Sequence, residues 1–113
     1  MKKYLPQQGD IVWMNLSPTK GYEQSGKRPC YIVTPSVYNK IGLCLLCPIT
    51  SHIKGYAGEI SLEEIPKVSG VILTDHLRSV DWKTREVEFI TSTSTPFQQL
   101  VYSRLHALIQ VIQ

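Results

Sequence analysis

Two runs decide how this chain folds: Cys30-Tyr31-Ile32-Val33-Thr34, closed by Pro35, and Gly42-Leu43-Cys44-Leu45-Leu46-Cys47, closed by Pro48. Each is a short apolar segment, β-branched, aromatic or leucine-rich, bounded by Gly or Pro, and reads as a buried strand. Only Ser36 to Ile41 separate them, so they form a hairpin. Upstream, Ile11-Val12-Trp13-Met14 follows Gly9 as another strand. Downstream, Glu59-Ile60-Ser61-Leu62, Gly70-Val71-Ile72-Leu73, Ser79-Val80-Asp81-Trp82 and residues 86–90 add four more, giving about seven short strands.

Thr95-Pro96-Phe97-Gln98 combines an N-cap Thr, an early Pro and a Gln three residues on, which starts a helix. Phe97, Leu100, Val101, Leu105, Leu108 and Ile109 then recur at three- and four-residue intervals, predicting one apolar stripe against the sheet. The expectation is a mainly β (α+β) fold: a bent antiparallel sheet or partly closed small barrel with a C-terminal α-helix packed beside it.

A chain of 113 residues with 42% hydrophobic content makes one domain, residues 1–113, with a modest core that needs no metal or disulfide staple. The longest stretch without Asp, Glu, Lys or Arg, residues 89–103, is rich in Thr, Ser and Gln, so it is no membrane span. Lys2 and Lys3 are followed by a polar run ending at Gly9 where a signal peptide would be apolar. With three cysteines, an odd number, the expected compartment is the reducing cytoplasm.

Net charge is +3 by formal count, unevenly spread. Residues 1–54 carry seven cations against Asp10 and Glu23, whereas the remainder carries five against seven acids. A basic half suggests a polyanion-binding surface, and a solvated basic face gives the same distribution.

Several side-chain groups have both a chemical and a plain structural reading. Cys44 and Cys47 have zinc or redox spacing, but strand alternation points them to opposite faces. The further ligands, from Cys30, His52, His76 or His106, come at no recognisable spacing, so buried small hydrophobes fit better than a metal site. Pro48-Ile49-Thr50-Ser51-His52 places two hydroxyls and an imidazole at a strand end, or simply forms a polar turn. Asp75-His76 could orient an imidazole for acid–base work, although adjacent residues on a strand face apart. Gly26-Lys27-Arg28-Pro29 follows a long polar stretch from residue 17, so Arg28 would emerge beside a rigid Pro as an anion-binding group. No P-loop, dinucleotide fingerprint or H-E-x-x-H occurs.

Read in order, Gly9-Asp10-Ile11-Val12-Trp13, Pro18-Thr19-Lys20-Gly21-Tyr22-Glu23-Gln24, Gly26-Lys27-Arg28-Pro29, Pro48-Ile49-Thr50, Lys54-Gly55-Tyr56 and Asp75-His76-Leu77-Arg78-Ser79-Val80-Asp81 resemble the MazF/PemK toxin family over nearly the whole chain. The resemblance implies an SH3-like barrel with a C-terminal helix, working as a homodimer. It implies a ribosome-independent, sequence-specific endoribonuclease, the toxin of a type II toxin–antitoxin pair, that cleaves single-stranded mRNA and so stops translation and growth. Attack by an RNA 2′-hydroxyl would leave a 2′,3′-cyclic phosphate and a 5′-hydroxyl, with no metal or other cofactor. The implied partner is a MazE-like antitoxin with an acidic, partly disordered tail, and operator DNA would be met only through that complex.

Position by position, the family's catalytic Arg falls on Arg28, its catalytic Thr on Thr50 and its loop Glu on Glu23. Candidate RNA contacts are Lys20, Tyr22, Gln24, Lys27, Ser51, Lys54, Tyr56, Asp75, His76 and Arg78, with cations for phosphates and tyrosines for splayed bases. This chain has Asp75-His76 where family members commonly show Asp-Gln. Two readings without catalysis stand beside this one: a gyrase-binding toxin like the related CcdB proteins, and an SH3-like nucleic-acid-binding module.

Overall fold

In the computed structural model, which describes residues 3–17 and 26–110, the chain order is β1 (Ile11–Asn15), β2 (Lys27–Ile32), α1 (Ser36–Asn39), β3 (Leu43–Thr50), β4 (Glu59–Ser61), β5 (Val71–Leu73), β6 (Arg78–Asp81), β7 (Glu88–Thr91) and α2 (Thr95–Ile109). Turns of 3₁₀ helix at Thr74–His76 and Trp82–Thr84 flank β6. The seven strands form one antiparallel sheet in the order β4-β5-β3-β2-β1-β7, with β6 also on β3. This is the mainly β architecture with a terminal helix that the sequence predicts.

β3 continues past Pro48, where the sequence predicted a stop, and the ladder shows why. Leu45 turns its carbonyl toward β2, where it accepts from the Val33 N–H at 2.9 Å. Alternation then turns the Pro48 nitrogen to the opposite edge. On that edge β6 pairs with residues 43–46 and β5 with residues 49–50, so the missing N–H falls in the gap between two neighbours. β2 likewise starts at Lys27, earlier than predicted, because Leu16 N–H reaches the Gly26 carbonyl at 2.7 Å and β1 zips onto it from Asn15. Arg28 is therefore a strand residue, opposite Met14.

Alternation also builds two cores. Ile11, Tyr31, Cys47, Ile49, Ile60 and Ile72 pack against Val101 and Leu105 of α2 on one face of the sheet. Val12, Met14, Cys30, Ile32, Cys44 and Leu46 pack with Val80 and Trp82 on the other. Each large aliphatic side chain so buried contributes about 1.5–3 kcal/mol. Cys44 and Cys47 do face opposite ways.

A buried Asn39 in the β2–β3 connection fastens the second core. Its amide donates to the carbonyls of Pro6 and Thr34, its side-chain oxygen accepts from the Thr34 hydroxyl, and its carbonyl accepts from the Trp82 indole. Asp10, also buried, accepts from the Tyr4 hydroxyl and from the Gln7 N–H at 3.1 Å, so it ties down the N-terminal segment. Burial raises its carboxyl above the usual range.

Two expectations for α2 are corrected. The N-cap is Ser94, whose Oγ accepts from the Phe97 N–H at 3.2 Å, one residue before the predicted Thr95. The apolar stripe is only half covered: Val101 and Leu105 are buried, but Leu100, Leu108 and Ile109 remain 45%, 49% and 73% exposed.

Gly70 precedes β5 at φ +105°, and a Cβ built there would lie 2.2 Å from the Thr50 carbonyl oxygen. Gly70→Ala combines a strained backbone with this contact, which together are expected to lower stability by about 2 kcal/mol. An unchanged urea midpoint for that variant would show that the β3–β5 junction relaxes freely.

Candidate active site between β2 and β3

The register that pairs Cys30 with Pro48 and Ile32 with Leu46, continued two positions, brings Arg28 opposite Thr50 on the face of the second core. Here the strands open. Arg28, Ile49 and Thr50 form a shared wall between two clefts of about 570 and 580 Å³. The first adds Pro48, Leu73, His76 and Arg78; the second adds Trp13, Lys27, Ser51, Lys67 and Ser69. A smaller hollow of about 170 Å³ continues from Thr50 and His76 to His52, Lys54, Tyr56 and Glu59.

Thr50 is held by geometry and by its own turn. Its Oγ1 accepts from the His52 N–H at 3.1 Å, which leaves the hydroxyl proton available to an anion. β-Branching stiffens its χ1 further. The polar turn and the chemical site are thus the same feature.

Asp75 and His76 do not sit on a strand, as the sequence suggested, but in the 3₁₀ turn Thr74–His76. Both side chains are then presented on one side, with His76 Nε2 3.9 Å from Asp75 Oδ1. Buried Thr74 anchors the turn by donating its hydroxyl to the Gly58 carbonyl at 2.6 Å. Tyr56 donates its hydroxyl to Asp75 Oδ1 at 2.9 Å, and this bond, first among the causes, raises its phenol above the ordinary value. The Glu59 carboxylate accepts from Lys54 and Gly55 N–H, both at 2.8 Å, and Arg104 of α2 donates to the carbonyls of Ala57 and Glu59 at 2.5 and 3.1 Å. The segment carrying Lys54 and Tyr56 is therefore braced from two sides.

The electrostatics favour an anion. Among the described residues, carboxylates near the clefts are engaged elsewhere: Glu59 by backbone N–H groups, Asp75 by Tyr56, and Glu88 by Lys27 at 3.6 Å. Neither Arg28 nor Arg78 has a described carboxylate within ion-pair distance. Two guanidinium groups facing one cleft, with no carboxylate partner among the described residues, are a ready cradle for phosphate oxygens.

The model for the PemK-like, MazF-like toxin of type II toxin–antitoxin systems matches residues 7–109. The chain belongs to this toxin family. It is 36% identical over 110 residues to the endoribonuclease toxin MazF of Escherichia coli K12, covering 96% of this chain and 98% of that one. Two solved structures from Deinococcus radiodurans are similar throughout. MazF itself superposes with TM-score 0.84 at 39% identity, and a MazE–MazF complex with TM-score 0.85 at 37%; each comparison covers 96% of this chain and all of the other.

Of the toxin residues singled out in the sequence, Arg28, Thr50, His76 and Arg78 meet in the first cleft, Lys27 and Ser51 in the second, and Lys54 and Tyr56 in the hollow, with Asp75 at its edge. Glu23, Lys20, Tyr22 and Gln24 lie outside the described residues. The residues flanking them, Ser17 and Gly26, both line the first cleft. Lys67 and Ser69, which sequence reasoning missed, line the second cleft from the β4–β5 connection, where Lys67 takes φ +76°. No local signal marks them, since the connection reaches the site only by tertiary packing.

The cysteines take no part. All three are buried, on both faces of the sheet, and burial pushes their thiols up to about 12, 11 and 12 for Cys30, Cys44 and Cys47. Native protein at pH 8 is therefore expected to be inert to Ellman's reagent, with all three thiols reacting once guanidinium unfolds it. Fast reaction of the native form would contradict this burial.

Proposed function

We propose that this endoribonuclease toxin cleaves single-stranded RNA by in-line attack of a 2′-hydroxyl on its own phosphate, with Arg28 and Thr50 as the groups that touch the reacting phosphate. The supporting observation is that both side chains line the wall shared by the two clefts, just beyond the end of the β2–β3 ladder. The 2′-oxygen–phosphorus bond forms, the bond to the 5′-oxygen breaks, and the products are a 2′,3′-cyclic phosphate and a 5′-hydroxyl.

Charge grows on the non-bridging oxygens in the transition state. A planar guanidinium donates two hydrogen bonds to them while neutralising charge, and it needs no reorganisation when held on a strand. The Thr50 hydroxyl donates to the same phosphate or keeps the 2′-hydroxyl in line. The chemistry needs no metal, and DNA lacks the nucleophile. Glu23 is assigned the 2′-hydroxyl proton, since the flanking Ser17 and Gly26 border the first cleft and no other acid occurs in residues 11–58.

The clefts on either side of the wall would take the nucleotides flanking the scissile bond. Lys27, Lys54, Arg78 and Lys20 would hold phosphates, Tyr22 and Tyr56 would stack on bases, and Gln24, Ser51 and Asp75 would meet base edges. A cognate MazE-like antitoxin with an acidic tail would compete for this cationic surface, consistent with the antitoxin bound in the similar MazE–MazF structure. The uncovered Leu100, Leu108 and Ile109 of α2 support a homodimer.

Wild type and Arg28→Ala incubated with a long single-stranded RNA in EDTA, beside a DNA copy, test the mechanism. Discrete RNA cuts with cyclic-phosphate ends, slowed roughly 10²-fold or more in the variant and absent on DNA, are expected. Intact RNA would overturn it and favour the binding-only readings, and cutting that needs a divalent ion would overturn the metal-free mechanism. For Glu23→Gln a comparable loss is expected, and unchanged cleavage would remove Glu23 from the mechanism.

A further inference from the structure

Cleavage moves one proton off the 2′-oxygen and needs one for the departing 5′-oxygen, an alkoxide far too basic to leave readily unprotonated. Neither group on the shared wall fits that second task. A guanidinium releases its proton only above about pH 12, and an aliphatic hydroxyl is a weaker acid still. The Tyr56 phenol is made a poorer donor by its bond to Asp75.

The chain has three histidines, all within the described residues. His106 lies on α2, stacked on Tyr102, away from the clefts. His52 lines only the hollow beyond Thr50. Of the three, His76 alone lines a cleft that also holds Arg28 and Thr50, and it shares the hollow beyond with Thr50. Its side chain is 55% exposed, open to solvent for reprotonation, yet it is set by a 3₁₀ turn anchored through buried Thr74.

We propose that His76 is the general acid of the reaction, donating its imidazolium proton to the 5′-oxygen as the phosphorus–oxygen bond breaks. This deepens the reading above and rests on it. The 2′-hydroxyl proton goes to the base, the imidazolium proton goes to the 5′-oxygen, and exchange with water resets both groups; no electrons are transferred and no water is consumed. An imidazole is suited to the task because it is the side chain that ordinarily changes charge between pH 5 and 8. The described groups facing it are Asp75 on its own turn, Arg28 on β2 and Arg78 on β6. From the braced segment and β4, His52, Lys54, Tyr56 and Glu59 also face it.

The test is kcat/KM against pH for wild type and His76→Gln, on an RNA containing one normal target linkage and on the same RNA with sulfur replacing the bridging 5′-oxygen. Because the acid acts protonated, the wild-type rate on the normal linkage is expected to fall as pH rises through the histidine's titration. His76→Gln should lose that limb and be slowed roughly 10²-fold at the acidic end. A thiolate leaves without a proton, so on the sulfur linkage the variant should approach the wild-type rate. A merely structural or base-contacting His76 would slow both substrates equally, and that result overturns the proposal. So would a limb that survives in His76→Gln but vanishes in His52→Gln, or a wild-type rate that rises with pH through the same range. If wild type cleaves the RNA through Arg28 but ignores the His76 change, this proposal alone fails. If wild type cleaves nothing, the mechanism above fails as well.

Discussion

Strand β3 has to satisfy two different neighbours along one edge, and the rest of the structure follows from how it does so. β6 occupies residues 43–46 of that edge and β5 residues 49–50, with Pro48 in the gap because it has no N–H to leave unpaired. The other edge holds β2, and the side chains alternate between the two cores: Cys44 and Leu46 to one face, Cys47 and Ile49 to the other. Thr50 is the next residue in the first series after Pro48. It therefore emerges on the core-facing side of the sheet, just beyond the point where packing ends, and Arg28 does the same on β2.

This placement explains how a small fold makes a rigid site. The backbone of Thr50 lies against Gly70 on one side and its side chain is met by the His52 N–H on the other. Arg28 and Thr50 come from strands, whereas the groups around them come from a 3₁₀ turn and a segment held by Glu59, Tyr56 and Arg104. Positioning is thus separated from coverage: strands fix where Arg28 and Thr50 stand, and the braced connections shape what surrounds them.

The strands and the terminal helix were legible in the sequence because alternation, helical period and punctuation by Gly and Pro are local signals. What misled was punctuation read too literally. Pro48 looked like an end because a proline inside a strand is permitted only when its nitrogen faces an unpaired edge, and that depends on where β5 and β6 dock. Arg28 looked like a loop residue because the zipping of Leu16 to Gly26 is invisible without β1 in register. At the site, Arg28 and Thr50 were named by resemblance, and their opposition follows only from the β2–β3 register. Asp75 and His76 were named as RNA contacts, but as an acid–base pair they had against them that adjacent strand residues diverge; a 3₁₀ turn removes that objection, and nothing in Thr74-Asp75-His76 announces it. Lys67 and Ser69 had no signal at all.

The outer edge of β1 is closed by β7, which pairs Ile11 with Thr91, and the first core is completed by Val101 and Leu105 beyond it. Bringing together ends so distant in sequence is entropically the most demanding step of assembly, whereas the β2–β3 hairpin closes over a short connection. On a ribosome, the strands bearing Arg28 and Thr50 are therefore made well before β7 and α2, the elements that close the sheet and complete the first core. A product truncated before β7 carries both residues without the closed sheet behind them, so the candidate site is completed only by elements translated after the strands that bear it.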